Sequence, residues 1–219
     1  ADGADSTLRK ACAIPFEGLT YPERFLVAST SFPLETKFEN LSLVNYVSDP
    51  QEWLVLLRAP SFWRVLIPTD PTIEDDNHFL ADRWIQDRLH HMAPHDSDYD
   101  IGHRSIYKVH QRVAKVWRRG RVLLAGDAAH LNNPLGGMGM NGGIHDAWNL
   151  CDKLIRIHDG AEPGPLLDLY DRQRRGICTQ FVQQHTINNK KLMESKDPGI
   201  QQKRQADYMR QAADPQLAR

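Results

Sequence analysis

Residues 121–147 read RVLLAGDAAHLNNPLGGMGMNGGIHDA, and inside them Gly137–Gly142 (GMGMNG) fits the pattern G-x-G-x-x-G letter for letter. That pattern marks a dinucleotide-binding phosphate turn only in a particular setting. It must follow a buried strand at once, open a helix, and lie in a βαβ unit with an acidic residue about 20 positions on. The apolar run Val122–Ala125 predicts a short strand, but the run stops at Gly126-Asp127, well before Gly137. The loop Leu131-Asn132-Asn133-Pro134 lies between them. A helix over about 141–158 does follow, because Ile144, Ala147, Trp148, Cys151, Leu154 and Ile155 recur at three- and four-residue steps. After Gly160 a βαβ unit needs another strand, and the chain enters Pro163-Gly164-Pro165 and a further helical pattern instead. The dinucleotide reading fails on context.

As a binding surface the same stretch offers something else. One carboxylate, Asp127, stands where the strand ends, and open α/β sheets bind ligands at that edge. Ala128 and Ala129 leave the approach uncluttered, Pro134 sets the chain direction, and Gly136, Gly137 and Gly139 bare the main chain. A helix beginning near Met140-Asn141 points unpaired N–H groups and a partial positive charge at the same place. That charge is worth about 0.3–1 kcal/mol to an anion, and roughly 2 when partly buried. A pyrophosphate normally also recruits Lys or Arg, and residues 126–147 contain neither. The surface suits a flat, polar-edged ring that gains negative charge on reduction.

Composition narrows the classes. The 219 residues suffice for one large or two small domains, and 41% hydrophobic with 25% charged is ordinary for a globular protein. Net charge is 27 − 28 = −1, so nothing argues for nucleic acid; the basic residues between Asp171 and Arg210 read as a solvated helix face. Cys12, Cys151 and Cys178 are scattered, which fits free thiols and a cytoplasmic setting. No apolar run reaches membrane-spanning length and no signal peptide opens the chain, so no membrane partner is expected. No metal is expected either: there is no H-E-x-x-H and no Cys/His ligand cluster. The opening Ala1–Ser6 reads as a strand-end turn without its strand, as in a fragment that begins partway through a domain.

Strands are predicted at 24–32, 41–48, 53–58 and 62–67, the last three as an antiparallel meander. Helix is predicted over 76–92, capped by Asp76 or Asn77, then strand over 103–117, with a long helix over 165–193. From Ser195 onward the chain is polar and weakly patterned.

Gly126-Asp127-Ala128-Ala129-His130, Pro134, Gly137-x-Gly139-x-Asn141 and Asp146-Ala147-x-Asn149-Leu150 together resemble the second flavin motif of the class A flavoprotein monooxygenases, the p-hydroxybenzoate hydroxylase-like aromatic hydroxylases. Asp2-Gly3-x-x-Ser6-x-x-Arg9 independently resembles that family's D-G motif, linked there to the FAD pyrophosphate and to NAD(P)H use. Met138 departs from the family, where many members carry Gln.

The resemblance covers nearly the whole chain and implies an α/β (α+β) fold. That fold is the C-terminal part of a p-hydroxybenzoate hydroxylase-like FAD-binding domain with an inserted antiparallel β-sheet substrate domain, its N-terminal Rossmann βαβ and G-x-G-x-x-G missing. Residues 1–22 and 107–219 would belong to the FAD-binding domain and 23–106 to the substrate domain. FAD binding by the chain alone is expected to be weak or nil, with the rest supplied by the same polypeptide in its full length or by another chain; a homodimer is the other partner expected.

The implied activity is hydroxylation of a phenolic or other small aromatic substrate with NAD(P)H and O2 through a flavin hydroperoxide. By the same resemblance Asp127 would hydrogen-bond the ribityl chain, and Gly126, Pro134, Gly137 and Gly139 would line the ring. Backbone at Met140 and Asn141 would meet the pyrimidine edge, while Asp2 and Gly3 would lie by the pyrophosphate with Arg9 anchoring their turn.

No general base is assigned. His130 and His145 read as packing and helix-surface residues, and His90, His91 and His95 as surface. Substrate contacts fall to Arg58, Trp63 and Arg64, with strand alternation leaving open which face of 62–67 is used. The apolar character of 53–58 and 63–67 favours a large phenolic substrate. Rival readings are an epoxidase on the same scaffold, a halogenase, whose expected tunnel Lys and tryptophan-rich motif this sequence lacks, and a flavin-free interaction module.

Overall fold

A computed structural model describes residues 1–49 and 52–214. The chain divides into two units, the first made of Ala1–Glu23 and Lys108–Lys190, the second of Arg24–Tyr107 and the segment from Lys191 on.

In the second unit, strands β2 (Val44–Val47), β3 (Leu54–Arg58) and β4 (Trp63–Pro68) form the expected antiparallel meander. β4 also pairs with the end of β1 (Phe16–Thr30), Ala28 opposite Val65 and Ser29 opposite Arg64. Alternation sends Leu26, Ala28, Leu54, Leu56, Trp63, Val65 and Ile67 to one face, where they form a core with Ile85 and Leu89. Those two residues, one turn apart, are the buried stripe of α3 (Asp82–Met92). The opposite face carries Arg64 and Ser29.

The single helix expected over 76–92 is broken. Ala81 is extended (φ −64°, ψ 135°) and separates α2 (Asp76–Leu80) from α3. The cap is Asp75, whose carboxylate accepts from Asn77 N–H, and not Asp76 or Asn77. The segment after Ser195 is also helical, α7 (Pro198–Ala213). Asp197 caps it through Gly199 and Ile200 N–H groups, and Pro198 sits in the first turn where a missing N–H costs nothing.

In the first unit, β1 starts at Phe16, eight residues earlier than the predicted 24. β5 is Ile101–Ala114, and its end pairs with the two-residue β8 (His130–Leu131), Val113 opposite His130. The strand expected at 122–125 is reduced to β7 (Val122–Leu123). It is half of a hairpin with β6 (Arg118–Arg119) that turns at Gly120, φ +61°. Asp127 therefore sits inside a 3₁₀ turn that follows a hairpin strand, not at the end of a parallel sheet strand.

α4 (Met138–His158) begins at the glycine cap Gly137, so Asn141 lies inside the first turn. The predicted 165–193 helix is interrupted: α5 (Pro163–Ile177) and α6 (Gln183–Glu194) flank a π-turn at Cys178–Val182. Around α1 (Thr7–Ala11) and α5 the core gathers Ile14, Ala114, Trp117, Leu124, Ala128, Ala129, Tyr170 and Cys178. Tyr170 closes it by donating its hydroxyl to Leu124 O at 2.6 Å.

The apolar stripe that announced α4 does not face this core. Met140 and Trp148 are 76% and 80% exposed, and Ile144 and Ile155 lie on the same open side. The buried side carries Gly142, Asp146 and Lys153.

Candidate flavin site and aromatic-anion cleft

The turn 126–141 is held from behind. Gly126 takes φ +61°, a conformation that excludes ordinary side chains, and opens the 3₁₀ turn Gly126–Ala128. Asp146 of α4, fully buried, accepts from Gly126 N–H at 3.0 Å and from His130 Nε2 at 2.9 Å through one oxygen, and from Arg174 Nε at 2.8 Å through the other. His130 lies flat beneath Trp117, ring centres 5.3 Å apart. Burial pulls the His130 pKa down, but the hydrogen bond to Asp146 and the nearby Cys178 more than offset it and raise the value to about 9. The Asp146 pKa is lowered: burial opposes the charge, and His130, Gly126 N–H and Arg174 prevail.

In front of this anchor the surface is open. Asp127 is exposed and has no hydrogen bond or ion pair among the described residues. Gly137 and Gly139 have empty space where a Cβ would stand. No side chain caps α4, and Asn141 donates its amide to Gly137 O at 2.9 Å, in line with the helix start. Pro134 O accepts from Gly137 N–H at 3.0 Å, which closes the turn. An exposed carboxylate, bare glycine backbone and an uncapped helix N-terminus are a donor and acceptor set that suits a flavin ring with its sugar-alcohol chain.

The D-G segment lies beside it. Asp2 accepts from Leu8 N–H at 3.1 Å, and hydrogen bonds from Ser6 and Leu8 lower its pKa to about 2. Gly3 is left-handed at φ +83°. Arg9 is only 5% exposed, so it is no surface ion pair. It donates to Ala128 O at 2.9 Å and to Ala4 O at 2.8 Å, and covers the Phe16 ring at 3.9 Å. A cleft of about 430 Å³ opens alongside, with Lys10, His110 and Arg112 in its wall.

The second unit has its own cleft, about 270 Å³, lined by Ser29, Ser31, Ser61, Phe62, Arg64, Asp100, Gly102 and His103. Arg64 has no ion pair or hydrogen bond among the described residues and lies over the Phe62 ring at 5.4 Å. Trp63 points to the other face, 2% exposed in the core, its Nε1 donating to Glu35 at 3.1 Å. Arg58 pairs with that same Glu35 at 3.0 Å. The structure thus gathers Asp2, Gly3 and Arg9 with the 126–141 turn in one unit, and separates Arg64 from Trp63 in the other. The sequence offered Asp146 as a motif residue without a role, since no local pattern announces its burial, and gave no sign of the cleft at His103 and Asp100.

A sequence model of the family described as FAD binding domain matches residues 1–185. The chain is 37% identical over 201 residues to para-nitrophenol 4-monooxygenase of Pseudomonas sp., covering 90% of this chain and 49% of that protein. It is 33% identical to 6-hydroxy-3-succinoylpyridine 3-monooxygenase of Pseudomonas putida, covering 91% and 50%. Among solved structures, p-nitrophenol 4-monooxygenase PnpA from Pseudomonas putida superimposes with TM-score 0.85 at 33% identity, over 100% of this chain and 55% of that one. The flavin-dependent monooxygenase PieE, solved with FAD and substrate, gives 0.76 at 27%, over 89% and 34%. The chain spans about half the length of the curated relatives it matches. Its mixed α/β architecture with an antiparallel sheet is that of flavin-dependent monooxygenases.

Proposed function

The chain belongs to the FAD binding domain family, and on that premise we propose that it serves an aromatic monooxygenase that uses FAD, NAD(P)H and O2. Residues 1–23 and 108–190 hold the flavin, and residues 24–107 hold a phenolic substrate. The observation that carries this reading is the turn 126–141: Asp127 presented without a partner, next to bare glycine backbone and the uncapped start of α4.

Asp127 accepts from the ribityl hydroxyls, and Gly126, Pro134, Gly137 and Gly139 leave room for the ring to lie against backbone. The free first-turn N–H groups up to Met140 donate to the pyrimidine edge, with Asn141 beside them, where the helix dipole favours the charge gained on reduction. Bound FAD supplies the electron transfer from nicotinamide and the activation of O2. Asp2 and Gly3 flank the pyrophosphate, and Arg9 holds their turn without touching it. In the adjoining cleft Lys10 is paired with Asp5, and Arg112, whose Nε has no hydrogen-bond partner among the described residues, is the cation left to meet a phosphate of the reductant. On the second unit, Arg64 pairs with the phenolate or carboxylate of the substrate and Phe62 offers its ring face. Trp63, inside the core, shapes β4 and does not contact substrate.

Titration of the chain with FAD up to millimolar concentration, followed by flavin fluorescence, tests the reading. Saturable binding that Asp127→Asn weakens at least tenfold, at unchanged stability, supports it. Equal binding by the variant overturns it.

A further inference from the structure

We propose that Asp146 is the positioning residue of the flavin turn: a single buried carboxylate ties Gly126, His130 and Arg174 together and so fixes where Asp127 stands. The inference rests on the flavin reading for what the turn carries, but the geometry of the hold does not.

Asp146 is fully enclosed, so it cannot touch a ligand. What it touches is the framework. Its contacts at 3.0, 2.9 and 2.8 Å come from the turn, from β8 and from α5, three segments that share no backbone ladder with one another. Arg174 also reaches Gly142 O at 3.4 Å, one turn before Asp146 on α4. Gly143 and Gly126 approach so closely that a Cβ on Gly143 would stand 3.3 Å from the Gly126 Cα. The turn is therefore pressed against α4 with one N–H aimed at one carboxylate, and Asp127 is the next residue. A charged hydrogen bond of this kind is about twice as strong as a neutral one. Loss of the carboxylate would leave a buried imidazole and a buried guanidinium without their common partner.

The groups around His130 are Asp146 of α4, Arg174 of α5, Cys178 of the π-turn and the Trp117 ring; Tyr170 and Asp171 of α5 are committed to Leu124 O and Trp117 N–H. The raised His130 pKa, about 9, agrees with a protonated ring that donates to Asp146.

Asp146→Asn keeps the size of the side chain and removes its charge. In the free chain, exchange of the Gly126 amide should accelerate at least tenfold relative to core amides such as Leu89. The His130 titration, read from its imidazole nitrogens by NMR, should fall by at least one pH unit. With FAD present, the apparent Kd should rise at least tenfold per folded molecule. Asp127→Asn should weaken FAD equally while leaving Gly126 exchange and the His130 titration as in the wild type, a separation that a merely structural role would not produce. Arg174→Gln removes one partner of the three and should move Gly126 exchange in the same direction by a smaller factor, which covers the case of an Asp146→Asn that does not fold. Unchanged Gly126 exchange in a folded variant overturns the proposal, and so does faster exchange with FAD affinity intact. If the wild-type chain alone binds no FAD, Gly126 exchange and the His130 titration still decide whether Asp146 holds the turn.

Discussion

Arg9 and Ala128, 119 residues apart, are joined by a hydrogen bond of 2.9 Å from the guanidinium Nη1 to the carbonyl oxygen. The other end of the same guanidinium is bound to Ala4 O, so one side chain fastens the D-G turn to the segment that follows Asp127. Replacement by Ala leaves two carbonyls without their donor and uncovers Phe16. Arg9→Ala should destabilise the chain by about 2–4 kcal/mol in urea unfolding, and Arg9→Lys, which cannot bridge both carbonyls, by about half as much.

Stability should fall as pH rises from neutral. His130 has a folded pKa of about 9 against an ordinary value of 6.5, so the native state keeps a proton that the unfolded chain releases. That contribution is complete below pH 6.5 and is lost as pH passes through about 9, with a total on the order of 3 kcal/mol. Urea midpoints measured between pH 6 and 10 should show the decline, and His130→Asn should flatten it. At the acid end Asp146, its pKa lowered, contributes stability above the usual carboxylate range that is lost on acidification.

Two glycines should respond with opposite signs. A Cβ at Gly142 would stand 3.0 Å from His130 Cε1, and the ring cannot move because Asp146 and Trp117 hold it. Gly142→Ala should therefore cost about 1–2 kcal/mol despite the better helix propensity of Ala. Gly176 has empty space at that position, and Gly176→Ala should gain up to about 1 kcal/mol. Thermal melts of the two variants check both signs.

Arg64 should govern affinity and not stability. It is exposed, and its contact is the Phe62 ring. Arg64→Gln should weaken binding of 4-hydroxybenzoate about five- to tenfold, with an effect on unfolding below about 0.5 kcal/mol. Binding should also weaken at high salt, as for any exposed cation. Calorimetric titration at two salt concentrations measures all three.

The meander and the helix after the glycines were legible because alternation at 53–67 and the three- and four-residue steps from Ile144 are strong periodic signals. The interruptions were not. Ala81 carries no breaker residue, and the π-turn at Cys178–Val182 adds one residue to a period that still looks helical on either side. α7 was signalled by Asp197-Pro198, a cap followed by a first-turn proline, but the low hydrophobicity downstream hid it. The stripe from Ile144 to Ile155 announced the helix but lies on its exposed side, because periodicity reports that a side is apolar and not what covers it. For the site, glycine spacing and Asp127 could be read from the sequence. Asp146 stood in the motif, but its role could not be read, since it lies in partners at positions 126, 130 and 174 that only the fold brings together.

The most direct test of the flavin turn is residue-resolved. Amide chemical shifts of the chain, followed as FAD is added, should move at Gly126–Asp127, at Gly137–Asn141 and at Asp2–Gly3, with the second unit silent in the absence of substrate. Shifts confined to other residues would contradict the account.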